Sequence, residues 1–141
     1  MWKGAAAVCV NELGQLLMVK QGKPDEQKLW SVPSGGKEEH ESFEQCCLRE
    51  LFEETGYKGK IVRKLFEKKG HSFGIAVHVH YFEVEITGGK PTILDPDELI
   101  HDIRWISPEE LSELPLSFPE DREFLMKFLS DRGANRISQI R

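Results

Sequence analysis

The chain has 141 residues, of which 39% are hydrophobic and 30% charged, and its formal net charge is −5. This balance is typical of one globular domain and argues against general disorder. No apolar run approaches the roughly 20 residues that span a bilayer, and an acidic protein has no general field that attracts nucleic acid. We therefore expect a cytoplasmic protein with no membrane partner, and the charge disfavours a nucleic-acid partner.

The apolar patterns predict strands at residues 5–10, 15–20, 29–32, 57–67, 73–86 and 100–106. Turn residues between the first two runs predict a hairpin. In the run 73–86, Ile75, Val77, Val79 and Tyr81 fall on one face, and His78 and His80 on the other. A packed or exposed position is favoured for both histidines over a place in a substrate cleft.

Capping signals predict the helices. Ser42 with Gln45 three residues later is a capping box, and Gly56 is a glycine stop, so the main helix covers residues 42–55. A short helix follows Ser107, and a helical spacing of apolar residues marks 118–130. We expect one domain over residues 1–132 and a flexible tail over 133–141. The mixture of strands and helices without strict alternation predicts an α+β fold, a mixed sheet flanked by helices.

Two other sets of residues are assigned to packing. The three cysteines, Cys9, Cys46 and Cys47, fit neither a disulfide framework nor a zinc spacing, so we interpret them as reduced thiols in packed positions. Trp30 and Trp105 are interpreted as core residues.

Three carboxylates share one face of the main helix. At about 100° per residue, Glu50, Glu53 and Glu54 fall on an arc of about 100°, beside an apolar arc that packs on the body of the protein. Like charges at this spacing repel by roughly 0.2–0.5 kcal/mol per pair. A hard divalent cation such as Mg²⁺, which prefers oxygen ligands, would remove the repulsion. A solvated acidic face is the alternative.

The residues around this helix resemble the Nudix box. The box is Gly, five residues, Glu, seven residues, Arg-Glu, an aliphatic residue, any residue, Glu-Glu, any residue, Gly and an apolar residue. Its positions correspond here to Gly35, Glu41, Arg49, Glu50, Leu51, Glu53, Glu54, Gly56 and Tyr57. The resemblance to Nudix hydrolases implies an α/β/α sandwich around a mixed sheet, with the box forming a loop, the catalytic helix and a second loop.

The same resemblance implies roles for individual residues. Glu53 and Glu54 would bind Mg²⁺, with Mn²⁺ as a substitute, and Glu50 would be a further ligand or the general base. Arg49 would orient a glutamate of the box, and Glu41 would mostly stabilise the loop. A tight turn at Gly35 would aim the main-chain carbonyl of Ser34 at the metal.

Two further roles rest on the family layout. An acid before the last strand often serves as base or ligand, and Asp95, Asp97 and Glu98 are the candidates, of which we select Glu98. Of the lysines near the loop that leads into the box, Lys20 is our candidate for contacting substrate phosphate or cofactor. For each of these residues, a solvated surface position is the alternative.

The resemblance implies hydrolysis of a small nucleotide-type substrate, a nucleoside diphosphate linked to a second moiety. A nucleoside triphosphate or a modified nucleotide is favoured. The alternative from another class is a catalytically inactive Nudix-fold sensor that binds a nucleotide without cleaving it, although all four box glutamates are present. A homodimer is also left open by the sequence.

Overall fold

The computed structural model describes residues 1–72, 74–94 and 98–140, and for residues 135–140 it describes the backbone alone. Within these ranges the strands are β1 (Trp2–Val8), β2 (Leu16–Gln21), β3 (Leu29–Ser31), β4 (Ser34–Gly36), β5 (Tyr57–Ser72), β6 (Ile75–Gly89) and β7 (Ile100–Ile106). The helices are α1 (Phe43–Thr55), α2 (Pro108–Leu111) and α3 (Arg122–Ile140), with a 3₁₀ turn at Pro119–Asp121. Among the helices so described, none has the length and apolar character to cross a membrane.

The strands form two sheets. The first has the order β4-β1-β6-β5 and is mixed, because β1 runs parallel to β6 and the other pairs are antiparallel. The second has the order β3-β2-β7 and is antiparallel. Strand β4 is an edge strand of the first sheet, and it immediately precedes the loop that leads into α1.

The predicted hairpin between residues 5–10 and 15–20 is confirmed only next to its turn. The chain does turn there, since the Asn11 side chain accepts hydrogen bonds from the N–H groups of Leu13 and Gln15. Contact between the two runs is limited to an isolated bridge from Val10 to Leu16 and the residues around it. Strand β1 pairs instead with β4 and β6, so both of its edges are occupied within the first sheet.

Alternate residues of β1 pack into two different cores. Ala6 and Val8 lie in a cluster that includes residues of α3, whereas Ala5, Ala7 and Cys9 lie in a cluster that includes residues of α1. Both sheets contribute to each cluster, so the strands form a middle layer between α1 and α3. The α+β class and the flanking of mixed strands by helices are therefore confirmed.

Helix α1 begins and ends where its capping residues predict. The Ser42 hydroxyl accepts from the Gln45 N–H at 3.0 Å, and the Gln45 side chain accepts from the Ser42 N–H at 2.8 Å. Gly56 ends the helix with φ of 78°, a left-handed conformation that glycine adopts at low cost, and its N–H donates to the Phe52 carbonyl. These two ends fix the register of the acidic face.

Helix α3 covers the other side of the strands. Leu125, Phe128 and Leu129 are buried at the predicted helical spacing. The backbone helix continues to Ile140 and so includes most of the segment assigned from the sequence to a flexible tail. The flexibility of residues 133–141 stays a prediction.

Candidate active site

The guanidinium group of Arg49 holds the acidic residues of the loop and helix together. It donates five hydrogen bonds, of which Nε and Nη2 supply two to the Glu41 carboxylate at 3.0 and 2.6 Å. Nη1 reaches both Glu50, at 2.8 Å, and Glu53, at 3.2 Å. Nη2 also donates to the Gly36 carbonyl at 2.9 Å. One side chain therefore joins the loop after β4 to two carboxylates of α1.

The nearby charge of Arg49 affects the ionisation of its partners. Its hydrogen bonds to Glu41 lower the pKa of that carboxyl group to about 2, against the opposing effect of burial. Burial raises the pKa of Glu50, an effect that Arg49 partly offsets. The side chains of Glu41 and Glu50 are only 7% and 14% exposed. The network thus concentrates negative charge where water is partly excluded.

Gly35 and Ser34 bring the edge strand β4 against this helix. A Cβ atom added at Gly35 would overlap the carboxyl group of Glu50, so a residue without a side chain is needed here to leave room for this carboxylate. The Ser34 N–H donates to Glu54 Oε1 at 3.1 Å. Glu54 is itself only 8% exposed. Ser34, Gly35 and three carboxylates of α1 therefore meet at the edge of the first sheet.

The donor chemistry of this group fits a hard divalent cation. The side chains of Glu50, Glu53 and Glu54 offer oxygen ligands only, which suits Mg²⁺ or Mn²⁺ rather than a metal that prefers sulfur. Arg49 engages Oε1 of Glu50 and Oε2 of Glu53, and the other oxygen of each carboxylate takes no bond from it. Those two oxygens could coordinate a divalent cation beside Arg49.

A cavity of about 580 Å³ lies next to these residues. Its lining residues come from the start of β1, from β4, from the end of β5, from β6, and from Phe118 and the 3₁₀ turn after it. It is lined by Trp2, Ser34, Lys68, Lys69, Gly70, His71, Ser72, Ile75, Val77, Val79, Tyr81, Phe118 and Glu120. Ser34 both lines this cavity and bonds Glu54, so the cavity adjoins the acidic site.

The family relation is decided by comparison with known proteins. A sequence model of the NUDIX domain matches residues 2–128. The chain belongs to the NUDIX domain family.

Nudix proteins that resemble this chain include two from Bacillus subtilis (strain 168). One, named "Putative 8-oxo-dGTP diphosphatase", is 32% identical over 121 residues, which are 86% of this chain and 74% of the relative. The other, named "ADP-ribose pyrophosphatase", is 38% identical over 102 residues, 69% of this chain and 55% of the relative. This chain thus spans about three quarters of the first relative and about half of the second.

Solved structures agree with the family assignment. The solution structure of the E. coli ORF135 protein has a TM-score of 0.76 and 27% sequence identity, and the match covers 95% of this chain and 92% of that one. A NUDIX hydrolase from Nitrosomonas europaea has a TM-score of 0.79 at 22% identity, covering 94% and 88% of the two chains, and it shows the shared fold alone. The Nudix fold expected from the sequence is confirmed.

Lys20 and Glu98, two further candidates, make no contact with Arg49 or with the box carboxylates among the contacts of the described residues. Lys20 is on β2 in the second sheet, in register with Trp30 and Asp102. Glu98 is exposed, precedes β7 and has a φ of 56°, which is uncommon for a residue other than glycine. Of the other late-loop acids, Asp95 and Asp97 lie outside the described residues.

The segment before this late loop is attached to the Nudix helix. The Thr92 N–H donates to the Thr55 carbonyl at 2.7 Å, and the Leu94 N–H donates to the Glu53 carbonyl at 3.1 Å. These bonds bring the chain after β6 to the C-terminal end of α1. The loop that carries Glu98 therefore starts beside the carboxylates.

His78 and His80 share a strand face as predicted, and Glu67 joins them from β5. One ligand atom from each residue lies within 4.8 Å of the others, a spacing that a metal ion could occupy. The negative charge of Glu67 is already paired, because Lys64 donates to its carboxylate at 2.7 Å. The same carboxylate lies 2.5 Å from His78 Nε2. The His80 ring stacks on Phe43 at a centroid distance of 3.6 Å. This arrangement supports a packed ion-pair cluster.

Sequence reasoning did not identify Trp2 as a site residue. Its side chain is 45% exposed and lines the cavity, although it stands at the start of the chain. The sequence pattern that could have indicated it is the alternation of side chains along a strand, which places Trp2, Gly4 and Ala6 on one face of β1. Trp30, by contrast, is buried as predicted, and Trp105 is partly buried against the core with its Nε1 donating to the Tyr57 hydroxyl.

Proposed function

We propose that this Nudix protein is a Mg²⁺-dependent pyrophosphohydrolase. Its substrate would be a nucleoside diphosphate linked to a second moiety, most simply a nucleoside triphosphate or a modified nucleotide. The products would be a nucleoside monophosphate and the phosphorylated second moiety. The observation that carries the proposal is the group of three carboxylates of α1 beside β4, two held by Arg49 and one by the Ser34 N–H, next to a cavity large enough for a nucleotide.

The proposed ligands of the divalent cation are Glu50, Glu53, Glu54 and the main-chain carbonyl of Ser34. A bound Mg²⁺ would neutralise charge on the substrate phosphates and lower the pKa of a coordinated water. Arg49 is a positioning residue in this scheme, because its guanidinium group fixes Glu50 and Glu53 relative to each other. Gly35 supports the site by leaving room for the Glu50 carboxyl group.

The general base is assigned to Glu50 or to Glu98. Glu50 is the more buried, and burial raises its pKa towards the range in which a carboxylate accepts a proton. Glu98 has an unusual backbone conformation on a loop whose preceding segment is bonded to α1, and such outliers often mark functional positions. Glu98→Gln separates the two assignments, because Glu98 is not among the proposed metal ligands: a large fall in kcat supports Glu98 as the base, and an unchanged kcat supports Glu50.

Lys20 is proposed as a contact to substrate phosphate only if the substrate extends to β2. Its test is the Lys20→Ala variant, which should raise KM and leave kcat unchanged.

The three cysteines are free and buried, which supports the reduced thiols of a cytoplasmic protein. A homodimer remains a proposal that light scattering in solution tests directly.

The experiment that tests the proposed function measures release of phosphate and pyrophosphate from a panel of nucleoside diphosphate derivatives with Mg²⁺ or Mn²⁺. The panel includes nucleoside triphosphates, oxidised nucleotides and ADP-ribose. The native protein is compared with Glu53→Gln. The matched control is Glu44→Gln, which makes the same chemical change at an exposed position on the same helix.

Turnover that falls about 100-fold or more in Glu53→Gln but not in Glu44→Gln would support metal-dependent hydrolysis, since removing a group that stabilises transition-state charge typically costs this much. Absence of turnover across the panel, in a protein shown to be folded and to bind Mg²⁺, would contradict the proposal. It would favour the alternative of a nucleotide sensor, whose ligand binding should survive the Glu53→Gln change.

A further inference from the structure

We propose that the indole ring of Trp2 is the platform on which the nucleobase of the substrate stacks. The inference rests on the proposed function, because it assigns the substrate's base to the cavity beside the acidic site. It keeps the proposed class of nucleoside diphosphate derivatives and makes Trp2 the residue that distinguishes them from sugar or inorganic polyphosphates.

The ring of Trp2 packs against a pair of glycines. Gly4 on β1 is the register partner of Gly36 on β4. A Cβ atom added at Gly4 would overlap the six-membered ring of Trp2, and one added at Gly36 would stand 3.3 Å from its Cζ2 and Nε1 atoms. Two cross-strand residues without side chains therefore leave the space that the indole occupies on this side of the sheet. The side chain nevertheless remains 45% exposed.

The Trp2 ring and the two glycines lie on the opposite face of the sheet from α1. Ser34 and Gly36 point to the side of Trp2, Val79 and Tyr81, because these residues are in register across β4, β1 and β6. Gly35 points to the other side, towards Glu50. Since β4 is an edge strand, a substrate bound to both sites would pass around the edge at Ser34, with its base on one face and its phosphates on the other.

Among the Trp, Tyr and Phe residues of the described cavity lining, Trp2 has the largest ring and, at 45%, the greatest exposure. Tyr81 is 2% exposed, stacks on Phe66 at 4.4 Å and donates its hydroxyl hydrogen to Asp121. The Phe118 ring is 39% exposed, and the Lys68 ammonium group already lies over one of its faces at 4.6 Å from the centroid. The apolar side chains of β6 beneath the cavity can pack against a base but cannot stack with it.

Stacking gives a specific energetic expectation. Base–aromatic stacking contributes about 1–3 kcal/mol per base by alanine substitution, which corresponds to about 5- to 150-fold in affinity. Because every base has a π-face, stacking alone discriminates weakly among bases. Removing the indole should therefore weaken all four common nucleotides and leave a ligand without a base unaffected.

The test measures dissociation constants by calorimetry in the presence of Mg²⁺. The probes are the α,β-methylene analogues of ATP, GTP, CTP and UTP, which resist cleavage between the α- and β-phosphates, together with inorganic tripolyphosphate as the base-free probe. Trp2→Ala and Trp2→Phe are compared with the native protein. Leu13→Ala is the matched control, because Leu13 is an apolar residue 78% exposed in a turn outside the cavity lining.

We expect Trp2→Ala to bind the nucleotide analogues at least fivefold more weakly, while Trp2→Phe, which keeps an aromatic face, stays within about threefold of the native protein. Tripolyphosphate affinity should change less than twofold in both, and Leu13→Ala should match the native protein. An equal loss for nucleotides and tripolyphosphate, or no loss in Trp2→Ala, overturns the inference. If the native protein binds none of the four nucleotide analogues, the proposed stacking on Trp2 is also refuted.

The same variants separate this inference from the proposed function. Hydrolysis by the native protein with an unchanged KM in Trp2→Ala would refute the role of Trp2 and leave the hydrolase intact. Nucleotide binding that depends on Trp2, without any hydrolysis, would refute the hydrolase and leave the stacking site intact. Thermal melting of Trp2→Ala within about 3 °C of the native protein would show that neither result comes from unfolding.

Discussion

Replacing Arg49 by lysine tests whether the shape of the guanidinium group, rather than its charge, organises the candidate active site. The arginine reaches Glu41, Glu50, Glu53 and the Gly36 carbonyl at once with five hydrogen bonds. A lysine keeps the positive charge but has one nitrogen with three donors. At least two of the five bonds are therefore lost, and the carboxylates are no longer held in one arrangement.

The size of the effect follows from these contacts. A hydrogen bond to a charged group contributes about 1.5–3 kcal/mol to stability. The Arg49 side chain is 27% exposed and the lysine retains some attraction, so we expect the free energy of unfolding to fall by about 2–4 kcal/mol rather than by the full sum. For a domain of this size, that change lowers Tm by roughly 6–14 °C.

The assay is urea unfolding followed by tryptophan fluorescence, without added metal, combined with kcat on the best substrate of the panel. The control is Arg104→Lys, which alters a more exposed arginine that makes one ion pair, with Glu110, and should cost less than about 1 kcal/mol. We expect kcat of Arg49→Lys to fall at least tenfold. Stability within 0.5 kcal/mol of the native protein and kcat within twofold would refute the argument that the guanidinium geometry holds the carboxylates.

Three further outcomes are expected. Because the pKa of Glu41 is lowered from 4.5 to about 2, its contribution to stability is present above about pH 5 and is lost as the pH falls towards 2; Glu41→Gln should flatten the unfolding free energy over that range in acid titrations. Burial raises the Cys9 pKa to about 12 and raises those of the other two cysteines, so iodoacetamide at pH 8 should add no mass to the native protein and three adducts after denaturation. Gly35→Ala should lower kcat at least tenfold, since its Cβ displaces Glu50, whereas Gly88→Ala, with open space around it, should leave kcat within twofold.

Local features of the fold were predictable because they depend on neighbouring residues. The capping box of Ser42 and Gln45 fixes the start of α1, and the helical repeat then places three glutamates on one arc. The alternation of β6 correctly separated Tyr81 from His80, because side chains of a strand alternate between its faces. Each of these conclusions needs only a segment of about fifteen residues.

The pairing of the strands was not predictable in the same way. A turn between β1 and β2 suggested a hairpin, but beyond the isolated bridge at the turn β1 pairs with β4 and β6, as in the pairing of Trp2 with Val77, and β2 pairs with β3 and β7. No local pattern indicates such a partner. The proximity of Glu67 to His78 was hidden for the same reason, since it depends on the register of β5 against β6.

The edge strand β4 shows why the candidate site is more constrained than its box pattern suggests. Its three residues alternate between two faces, so Gly35 meets Glu50 while Gly36 lies under the ring of Trp2. A Cβ atom at Gly35 would overlap the Glu50 carboxyl group, and one at Gly36 would stand 3.3 Å from the Trp2 ring, so the two glycines accommodate different neighbours on opposite faces. Ser34 is part of both sides, through its N–H bond to Glu54 and its place in the cavity lining. A displacement of β4 would therefore disturb the carboxylates and the Trp2 ring together, which couples the proposed phosphate and base sites through three residues of backbone.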